Sequence, residues 1–373
     1  MNTAVGRQRL YYMDVIKGIA IFIVVMGHVL TMCVRDIDRA VVFKFIGEIH
    51  MPLFFFISGW FTYKLTDDGR WLTPNLAGRF RQLIIPMVVV SSLWIFYFPH
   101  SGLESPLNST FEGLWSDGYK NGYWFTLVLF EIMVIYALLT PILSRLTGMP
   151  ARIMTVCALW ALLLVMNQTV TAEVGGYCSL ELMTRFFPVF MFGVLASSSK
   201  DNFNRLTTSQ AVITSSILIG GVLLYMICWP WDIDGLADYP IVINILRTLF
   251  HITISVIAIA LTRPWCNRVF SSGRPCFMAR VWTYLGAQSL AIYLLHYFFL
   301  FPLGATREAL REMALGWTPT FVFAAVVAAC IVTMVSGLIY IIKSSNLLSA
   351  LLIGQTNHPK SKLNKSVFGF KPN

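Results

Sequence analysis

Ten apolar runs, each about the length of a membrane span, constrain the fold of this chain more than any other feature. An α-helix rises ~1.5 Å per residue, so about 20 apolar residues cross a hydrocarbon core of ~30 Å. The runs are Ile16–Val34, Phe45–Tyr63, Leu83–Phe98, Tyr123–Leu143, Ile153–Val170, Thr184–Ser197, Ala211–Trp229, Ile241–Thr262, Val281–Phe301 and Pro319–Ile342. The ten-residue alternating strands of a membrane barrel do not occur in the sequence. The pattern predicts an all-α membrane protein, a bundle of about ten transmembrane helices.

The composition agrees with a single membrane domain. Of the 373 residues, 57% are hydrophobic and only 12% are charged, whereas soluble domains carry roughly 25% charged residues. The polar stretches between the apolar runs are too short to hold a separate soluble domain. We therefore expect residues 1–345 to form the transmembrane domain and residues 346–373 to form a polar, basic, disordered cytoplasmic tail.

Basic residues are distributed unequally between the two sides of the predicted bundle. Twenty of the 28 Lys and Arg residues fall on the side that holds both termini, and eight fall on the other side. Because cytoplasmic loops carry the excess of Lys and Arg, both termini are predicted to be cytoplasmic. The net charge of +10 then reflects membrane topology, and no nucleic-acid partner is expected.

Four ionisable side chains fall near mid-membrane depth in the predicted spans: His28, Glu131, His251 and His296. Such residues are costly in lipid, so each is a candidate functional residue that faces the bundle interior. Glu131 is expected to orient His28, because a carboxylate in apolar surroundings needs a partner. His251 is interpreted as an internal hydrogen-bonding residue. For His28, the alternative to catalysis is a structural hydrogen bond between helices.

Lys17 and His28 lie on one face of the first predicted helix. They are eleven residues apart, which leaves them ~20° from three full turns and about 16 Å apart along the axis. Acyl-coenzyme A, with an anionic head and a reactive end, fits this line, so Lys17 is predicted to pair with phosphate. Lys17 could also be a positive-inside anchor. Asp14 would support Lys17 or take part in orienting the catalytic site.

Four stretches of the sequence resemble the bacterial membrane acyltransferase-3 family, in particular its sugar O-acetylase-like branch. They are MDVIKGIAIFIVVMGH, IHMPLFFFISGWF, YWFTLVLFEIMVIYALL and SLAIYLLHYFFL, in the family's order over nearly all of the chain. The resemblance implies a multi-pass protein of the bacterial inner membrane and a cytoplasmic donor, acetyl-CoA or another acyl-CoA. It also implies His28 as the essential base, with Lys17 where the family has Arg or Lys.

One motif departs from the family's pattern. Many relatives carry Arg-x-x-Arg before the third span, whereas AGRFRQLIIP places Arg79, Arg81 and Gln82 here. Arg79 and Arg81 are still expected to hold CoA phosphates near a cytoplasmic mouth. Four further arginines share one predicted cytoplasmic loop: Arg263, Arg268, Arg274 and Arg280. These would contact anionic lipid headgroups, with a share in CoA binding as the alternative.

Three residues are candidates for binding the acceptor: His50, Trp124 and His296. His50 either touches an acceptor hydroxyl or caps a helix start ahead of Pro52, and the same choice between substrate contact and structural role applies to His296. The predicted function is O-acyl transfer to a hydroxyl of a glycan or lipid-linked sugar, in which neutral His28 takes the hydroxyl proton. Direct transfer and an acyl-histidine intermediate both stay open, and no metal is required.

The main alternative function is transport. A transporter or flippase for a lipid-linked glycan would use the same buried His and Glu residues to relay protons or bind substrate. The sequence shows no internal repeat and no pair of symmetric interrupted spans, which disfavours this alternative. A non-catalytic scaffold is disfavoured as well, because it has no use for a costly layer of buried ionisable residues.

Overall fold

A computed structural model describes most of the chain. The described residues are 9–33, 41–101, 110–116, 119, 122–228, 238–271, 275–300 and 317–355. They are helical almost throughout, and extended pairing within these ranges is limited to one antiparallel bridge between Leu65 and Trp71. The fold is the all-α membrane bundle that the apolar runs predict.

Fifteen α-helices follow one another in the described part of the chain. They are α1 (Tyr11–Cys33), α2 (Val41–Thr62), α3 (Leu76–Ser101), α4 (Gly113–Ser116), α5 (Trp124–Arg145), α6 (Met149–Thr169), α7 (Ala172–Tyr177), α8 (Leu180–Ser198), α9 (Lys200–Thr208), α10 (Gln210–Cys228), α11 (Pro240–Ser271), α12 (Phe277–Ala287), α13 (Ser289–Leu295), α14 (Trp317–Ile342) and α15 (Asn346–Ile353). A 3₁₀ helix, His296–Phe299, follows α13 directly. Nine helices in these ranges are long and apolar enough to span a membrane: α1, α2, α3, α5, α6, α8, α10, α11 and α14.

The ninth predicted span, Val281–Phe301, is not one continuous helix. Its described residues are divided among α12, α13 and the 3₁₀ helix, because the backbone at Gln288 leaves the α-helical region with φ −102° and ψ 7°. The Gln288 side chain at this break accepts a hydrogen bond of 2.8 Å from Lys343 Nζ. Hydropathy alone carries no sign of such a break, so the sequence predicted a single helix.

The arginines assigned to one cytoplasmic loop mostly lie in helices instead. Arg263 and Arg268 belong to α11, which continues to Ser271, and Arg280 belongs to α12; Arg274 lies outside the described residues. The Arg263 guanidinium donates hydrogen bonds of 2.9 and 2.6 Å to Asn204 Oδ1 and Thr207 Oγ1 of α9. The charged residues after Thr262 ended the predicted span there, although α11 continues to Ser271. The hydrogen bonds of Arg263 hold α9 against α11.

Glycines allow the central helices to approach closely. A Cβ atom on Gly59 of α2 would lie 2.0 Å from the carbonyl oxygen of Phe190, and one on Gly193 of α8 would lie 2.1 Å from that of Phe56. Gly18 brings α1 equally close to α12, where a Cβ would lie 2.0 Å from a backbone oxygen. Small residues at such crossings are the usual basis of helix packing in membranes. These contacts fix α1, α2 and α12 around the site.

The first residues of the predicted tail are ordered as helix α15. The Ser345 side chain caps its start by accepting a 3.4 Å hydrogen bond from the Leu348 amide. Gly354 ends it in the left-handed region, with φ 65°, and a Cβ there would lie 2.2 Å from the backbone oxygen of Gln82. The apolar residues of Asn346–Ile353 explain why this part is helical. Residues 356–373 of the predicted tail lie outside the described residues.

Candidate active site

A cavity of about 210 Å³ lies between α1, α2, α3, α5 and α13. Its polar lining side chains are Lys17, Ser58, Arg79, Gln82, Ser289 and Tyr293. Most of the remaining wall is apolar and comes from α2 and α5. Along α2 the lining extends from Phe61 to Met51, ten residues or about 15 Å. The cavity is therefore long enough to run from the charged start of α1 towards the middle of the bundle.

The charged group at one end of this cavity, which we call the Lys17 end, consists of Arg9, Asp14, Lys17 and Arg79. Asp14 forms ion pairs with two neighbours on its own segment: its oxygens lie 2.9 Å from Lys17 Nζ and 2.8 Å from Arg9 Nε. Asp14 precedes His28 by fourteen residues, about 21 Å along α1, so it cannot contact the imidazole. Its contacts hold Lys17 in place instead.

The two predicted phosphate-binding arginines are placed differently. Arg79 lines the cavity and donates a 2.9 Å hydrogen bond to Gln82 Oε1. Arg81 is exposed and is not among the cavity-lining residues. Two residues along a helix turn the chain by about 200°, whereas three return it to nearly the same face. Gln82 therefore shares the cavity with Arg79, and Arg81 points elsewhere.

His28 lies in a layer of imidazole and phenol rings at the centre of the bundle. The rings of His296 and Tyr297 approach its ring, with centroids 5.2 and 5.0 Å away. The Tyr297 hydroxyl oxygen lies 3.1 Å from His28 Nε2. His28 is only half-buried, whereas His296 and Tyr297 are fully buried. The contacts with His296 and Tyr297 therefore fix the position of the His28 ring.

A chain of hydrogen bonds connects His28 with the cavity wall. Tyr293 Oη donates to the Gly122 carbonyl oxygen at 2.8 Å, and Tyr297 Oη lies 3.3 Å from the same oxygen. A hydroxyl has one proton, so Tyr297 either donates to Gly122 and accepts from His28 Nε2–H, or donates to His28 Nε2 itself. In the first arrangement the free lone pair of neutral His28 lies on Nδ1, and in the second Nδ1 carries the proton. Tyr293, which lines the cavity, joins the cavity to this chain.

The other two histidines of this region have fixed ring orientations. His296 Nδ1 lies 2.7 Å from the Tyr293 carbonyl oxygen, so Nδ1 carries the proton and Nε2, with no hydrogen-bond partner among the described residues, is the basic nitrogen. His50 Nδ1 likewise donates to Ile46 O at 2.6 Å. Helix α2 begins nine residues before His50, so the helix-capping alternative for His50 is wrong. Electrostatic interactions connect His28 with both of these histidines.

The two remaining candidates of α5 have different positions. The Trp124 ring, at the start of α5, stacks on Phe186 with centroids 5.5 Å apart and on Phe55 at 6.3 Å. It lies in an aromatic stack between α2 and α8, and substrate contact by Trp124 stays a prediction. Glu131 lies half-buried in the same helix. The group described at His28 Nε2 is the Tyr297 hydroxyl, and the predicted pairing of Glu131 with His28 stays a prediction.

A second charged group, which we call the Glu48 cluster, consists of Glu48, Arg185, Arg247 and His251. Glu48 Oε1 lies 2.7 Å from Arg185 Nη2 and 3.3 Å from Arg247 Nε, and Oε2 lies 2.9 Å from His251 Nε2. The cluster joins α2, α8 and α11. The prediction that His251 is an internal hydrogen-bonding residue agrees with this contact. Sequence reasoning missed the carboxylate that it contacts.

Tyr293 and Tyr297 were missed as site residues as well. Both occur in SLAIYLLHYFFL, one of the stretches that carry the resemblance, at three residues before and one residue after His296. That spacing puts Tyr293 and His296 on one helical face and is the signal that was available. Among the described residues, no group of three or more His, Cys, Asp or Glu side chains could hold a metal ion.

The fold and the site together define a multi-pass membrane protein with histidine and tyrosine side chains beside a cavity that Tyr293 lines. The acyltransferase-3 family model, described as an acyltransferase domain, matches residues 10–338. That match covers most of the chain, so the chain belongs to this family and is a membrane acyltransferase. No curated protein and no solved structure matches it.

Proposed function

We propose that the protein transfers an acetyl group from acetyl-CoA to a hydroxyl of a glycan or lipid-linked sugar, with His28 as general base. The donor enters at the Lys17 end, with its phosphates at Lys17 and Arg79. The apolar runs of the sequence assign 20 of the 28 Lys and Arg residues to that side of the bundle, which supports a cytoplasmic Lys17 end and cytoplasmic termini. We assign the protein to the bacterial inner membrane, with the Lys17 end on the cytoplasmic side, where the acetyl donor is made.

One observation carries the proposal: a single cavity has cations at one end and a hydrogen-bonded route to His28 at the other. Lys17 and Arg79 line it together with Tyr293, and Tyr293 shares the Gly122 oxygen with Tyr297, the partner of His28. Two cations can bind phosphate oxygens. The apolar wall between the two ends suits the uncharged arm of coenzyme A.

The chemistry requires only a base and a positioned acceptor. His28 Nδ1 takes the proton of the acceptor hydroxyl as its oxygen attacks the thioester carbonyl carbon. The new C–O bond forms, the C–S bond breaks, and the coenzyme A thiolate takes the proton from the imidazolium. In this mechanism Tyr297 accepts from Nε2–H and holds the ring in the tautomer that leaves Nδ1 free to take a proton. An acyl-histidine route would use the same nitrogen as a nucleophile.

The test uses the purified full-length protein in lipid nanodiscs with radiolabelled acetyl-CoA and glycan-bearing membrane extract. Wild type should transfer label to extracted glycan, and His28→Ala should lose at least ~10²-fold of the rate, the usual contribution of a general base. Arg152→Gln is the control for loss of a polar side chain, since its guanidinium donates to the Leu143 and Leu146 carbonyl oxygens and not to the reacting centre. Equal label with wild type and His28→Ala, or movement of unlabelled glycan without any transfer, contradicts the proposal.

A further inference from the structure

The Glu48 cluster contains more positive than negative charge. Arg185 and Arg247 share the Glu48 carboxylate, and His251 adds no negative charge in either protonation state. A further acid, Glu181, interacts electrostatically with Arg247 but has an exposed side chain, so solvent screens it. Among the described residues, a buried carboxylate paired with two guanidinium groups leaves one positive charge without a buried counterion. Such a charge favours an anion at this position.

The cluster also has hydrogen-bonding capacity that its own members do not use. Arg185 Nε, Thr248 Oγ1 and His251 Nδ1 are buried and have no hydrogen-bond partner among the described residues. Arg247 contacts Glu48 only through Nε, at 3.3 Å and without hydrogen-bond geometry, and its side chain is 30% exposed. A guanidinium has five N–H donors in a planar fork that matches a phosphate or carboxylate. The Arg247 fork is therefore available for an anionic group that reaches the cluster.

Along α2, the Glu48 cluster lies beyond His50 from the Lys17 end. His50, two residues after Glu48 in α2, interacts electrostatically with Glu48 and Arg185, and His28 interacts with His50. Along α2, the cavity lining runs from Met51 towards the Lys17 end, whereas Glu48 lies on the other side of His50. A group bound at Arg247 would thus approach His28 from the face that the donor does not occupy.

We propose that Arg247 and Arg185 form an anion subsite for the acceptor, which binds a phosphate or carboxylate group of the sugar substrate and positions its hydroxyl at His28. The acceptor is therefore anionic, and a neutral sugar lacks the group that the subsite recognises. Binding at this subsite is independent of the donor. The role in positioning an acceptor rests on the acyl transfer proposed above, whereas the binding of an anion does not.

The experiment measures the thermal shift of the full-length protein in nanodiscs without coenzyme A. The probes are a polyprenyl monophosphate in the nanodisc, free glucuronate and free inorganic pyrophosphate, with glucose as the neutral control. Wild type should be stabilised by the polyprenyl phosphate or by glucuronate, which separates a lipid-borne from a sugar-borne anion. Arg247→Gln should weaken that binding at least about tenfold, with Arg247→Lys in between because it keeps the charge without the fork.

Two matched variants locate the effect. Arg152→Gln removes a half-buried guanidinium that donates to the Leu143 and Leu146 carbonyl oxygens and should leave anion binding unchanged. Lys17→Ala separates this subsite from the donor cations, and it should also leave the binding unchanged. The inference is overturned if no probe stabilises wild type, if Arg247→Gln binds as wild type does, or if only millimolar pyrophosphate binds, which means an adventitious ion only.

Acyl transfer then distinguishes this inference from the proposed function. Transfer that depends on His28 but keeps the same KM for the acceptor in Arg247→Gln contradicts the subsite and leaves the function intact. Anion binding that depends on Arg247 and is unaffected by His28→Ala, in a protein that transfers no acetyl group, supports the subsite and contradicts the function. With both proposals correct, Arg247→Gln raises the KM for the acceptor about tenfold and leaves the KM for acetyl-CoA unchanged.

Discussion

The Lys17 end and the Glu48 cluster use the same charge arrangement in different settings. In each, one carboxylate contacts two cations: Asp14 contacts Arg9 and Lys17, and Glu48 contacts Arg185 and Arg247. The partners of Asp14 lie within five residues of it at the start of α1, and Arg9 is 51% exposed. The partners of Glu48 come from two other helices. The first arrangement is local and adjustable, whereas the second holds three helices together.

Position explains why the two groups should differ in energy. A charge pair near solvent contributes about 0.2–1 kcal/mol, because water and salt screen it. A buried carboxylate that neutralises two guanidinium groups is harder to remove, because the cations are then left in a medium of low dielectric constant. The comparison therefore predicts that loss of Glu48 affects folding, whereas loss of Lys17 affects donor binding.

The largest expected effect is that of Glu48→Ala on stability. Removing this carboxylate leaves Arg185 and Arg247 next to each other without their acid, and we expect a loss of about 3–5 kcal/mol, the usual cost of breaking a buried pair. Thermal unfolding in detergent, followed by tryptophan fluorescence, measures it. Glu181→Gln, at an exposed position of α8, is the control and should unfold as wild type does. Wild-type stability of Glu48→Ala would show that the cluster is not structural.

The next largest effect is expected in the layer of rings formed by His28, His296 and Tyr297. Tyr297→Phe removes the hydroxyl that contacts His28 Nε2, so the ring loses the partner that fixes its tautomer. We expect kcat to fall about 10- to 100-fold with unchanged KM values, part of the general-base contribution. Tyr123→Phe is the matched control, because its hydroxyl donates to the Leu294 carbonyl oxygen instead. Equal kcat in the two variants would remove Tyr297 from the mechanism.

The contrast between the two groups also shows what the sequence could predict. Lys17 and His28 lie on one helix, where 100° per residue relates their positions without knowledge of the fold. Glu48 meets Arg185 across 137 residues and His251 across 203, and helix periodicity cannot relate residues on different helices. The apolar run also began at Phe45, whereas α2 begins at Val41. The later predicted start put Glu48 close to the end of a span, where a charged residue is common and does not indicate a functional site.

The membrane class and nine of the ten predicted spans were predictable for a similar reason, since both depend on local apolar length. The break at Gln288 was not, because one polar residue leaves the mean hydropathy of the run almost unchanged. The prediction for Arg81 used the motif but did not consider which face of the helix each residue occupies. Arg81 is two residues from Arg79 and therefore lies on another side of α3. Tyr297 was missed although it occurs in the motif SLAIYLLHYFFL, because only the fold brings it into contact with His28.

A smaller effect tests donor binding at the Lys17 end. Lys17→Ala removes one cation from the cavity, and we expect the KM for acetyl-CoA to rise about tenfold, the loss of one charge-assisted contact with phosphate. Lys17→Arg keeps the charge and should stay close to wild type. Initial rates at varied acetyl-CoA measure both, with Lys200→Ala, which starts α9 away from the cavity, as the control. Identical KM values in all variants would place the phosphates elsewhere.

The smallest expected effect is that of Asp14→Asn, and it decides between the two roles predicted for this residue. The amide still reaches Lys17 and Arg9 but without charge, so stability should fall by about 1 kcal/mol or less, and high salt should shrink the difference further. Lys17 becomes more mobile, so the KM for acetyl-CoA should rise by no more than about threefold, part of one charged contact, while kcat stays unchanged. A fall of kcat beyond tenfold at constant KM would mean that Asp14 acts on the reaction itself, through the ~21 Å of α1 that separate it from His28.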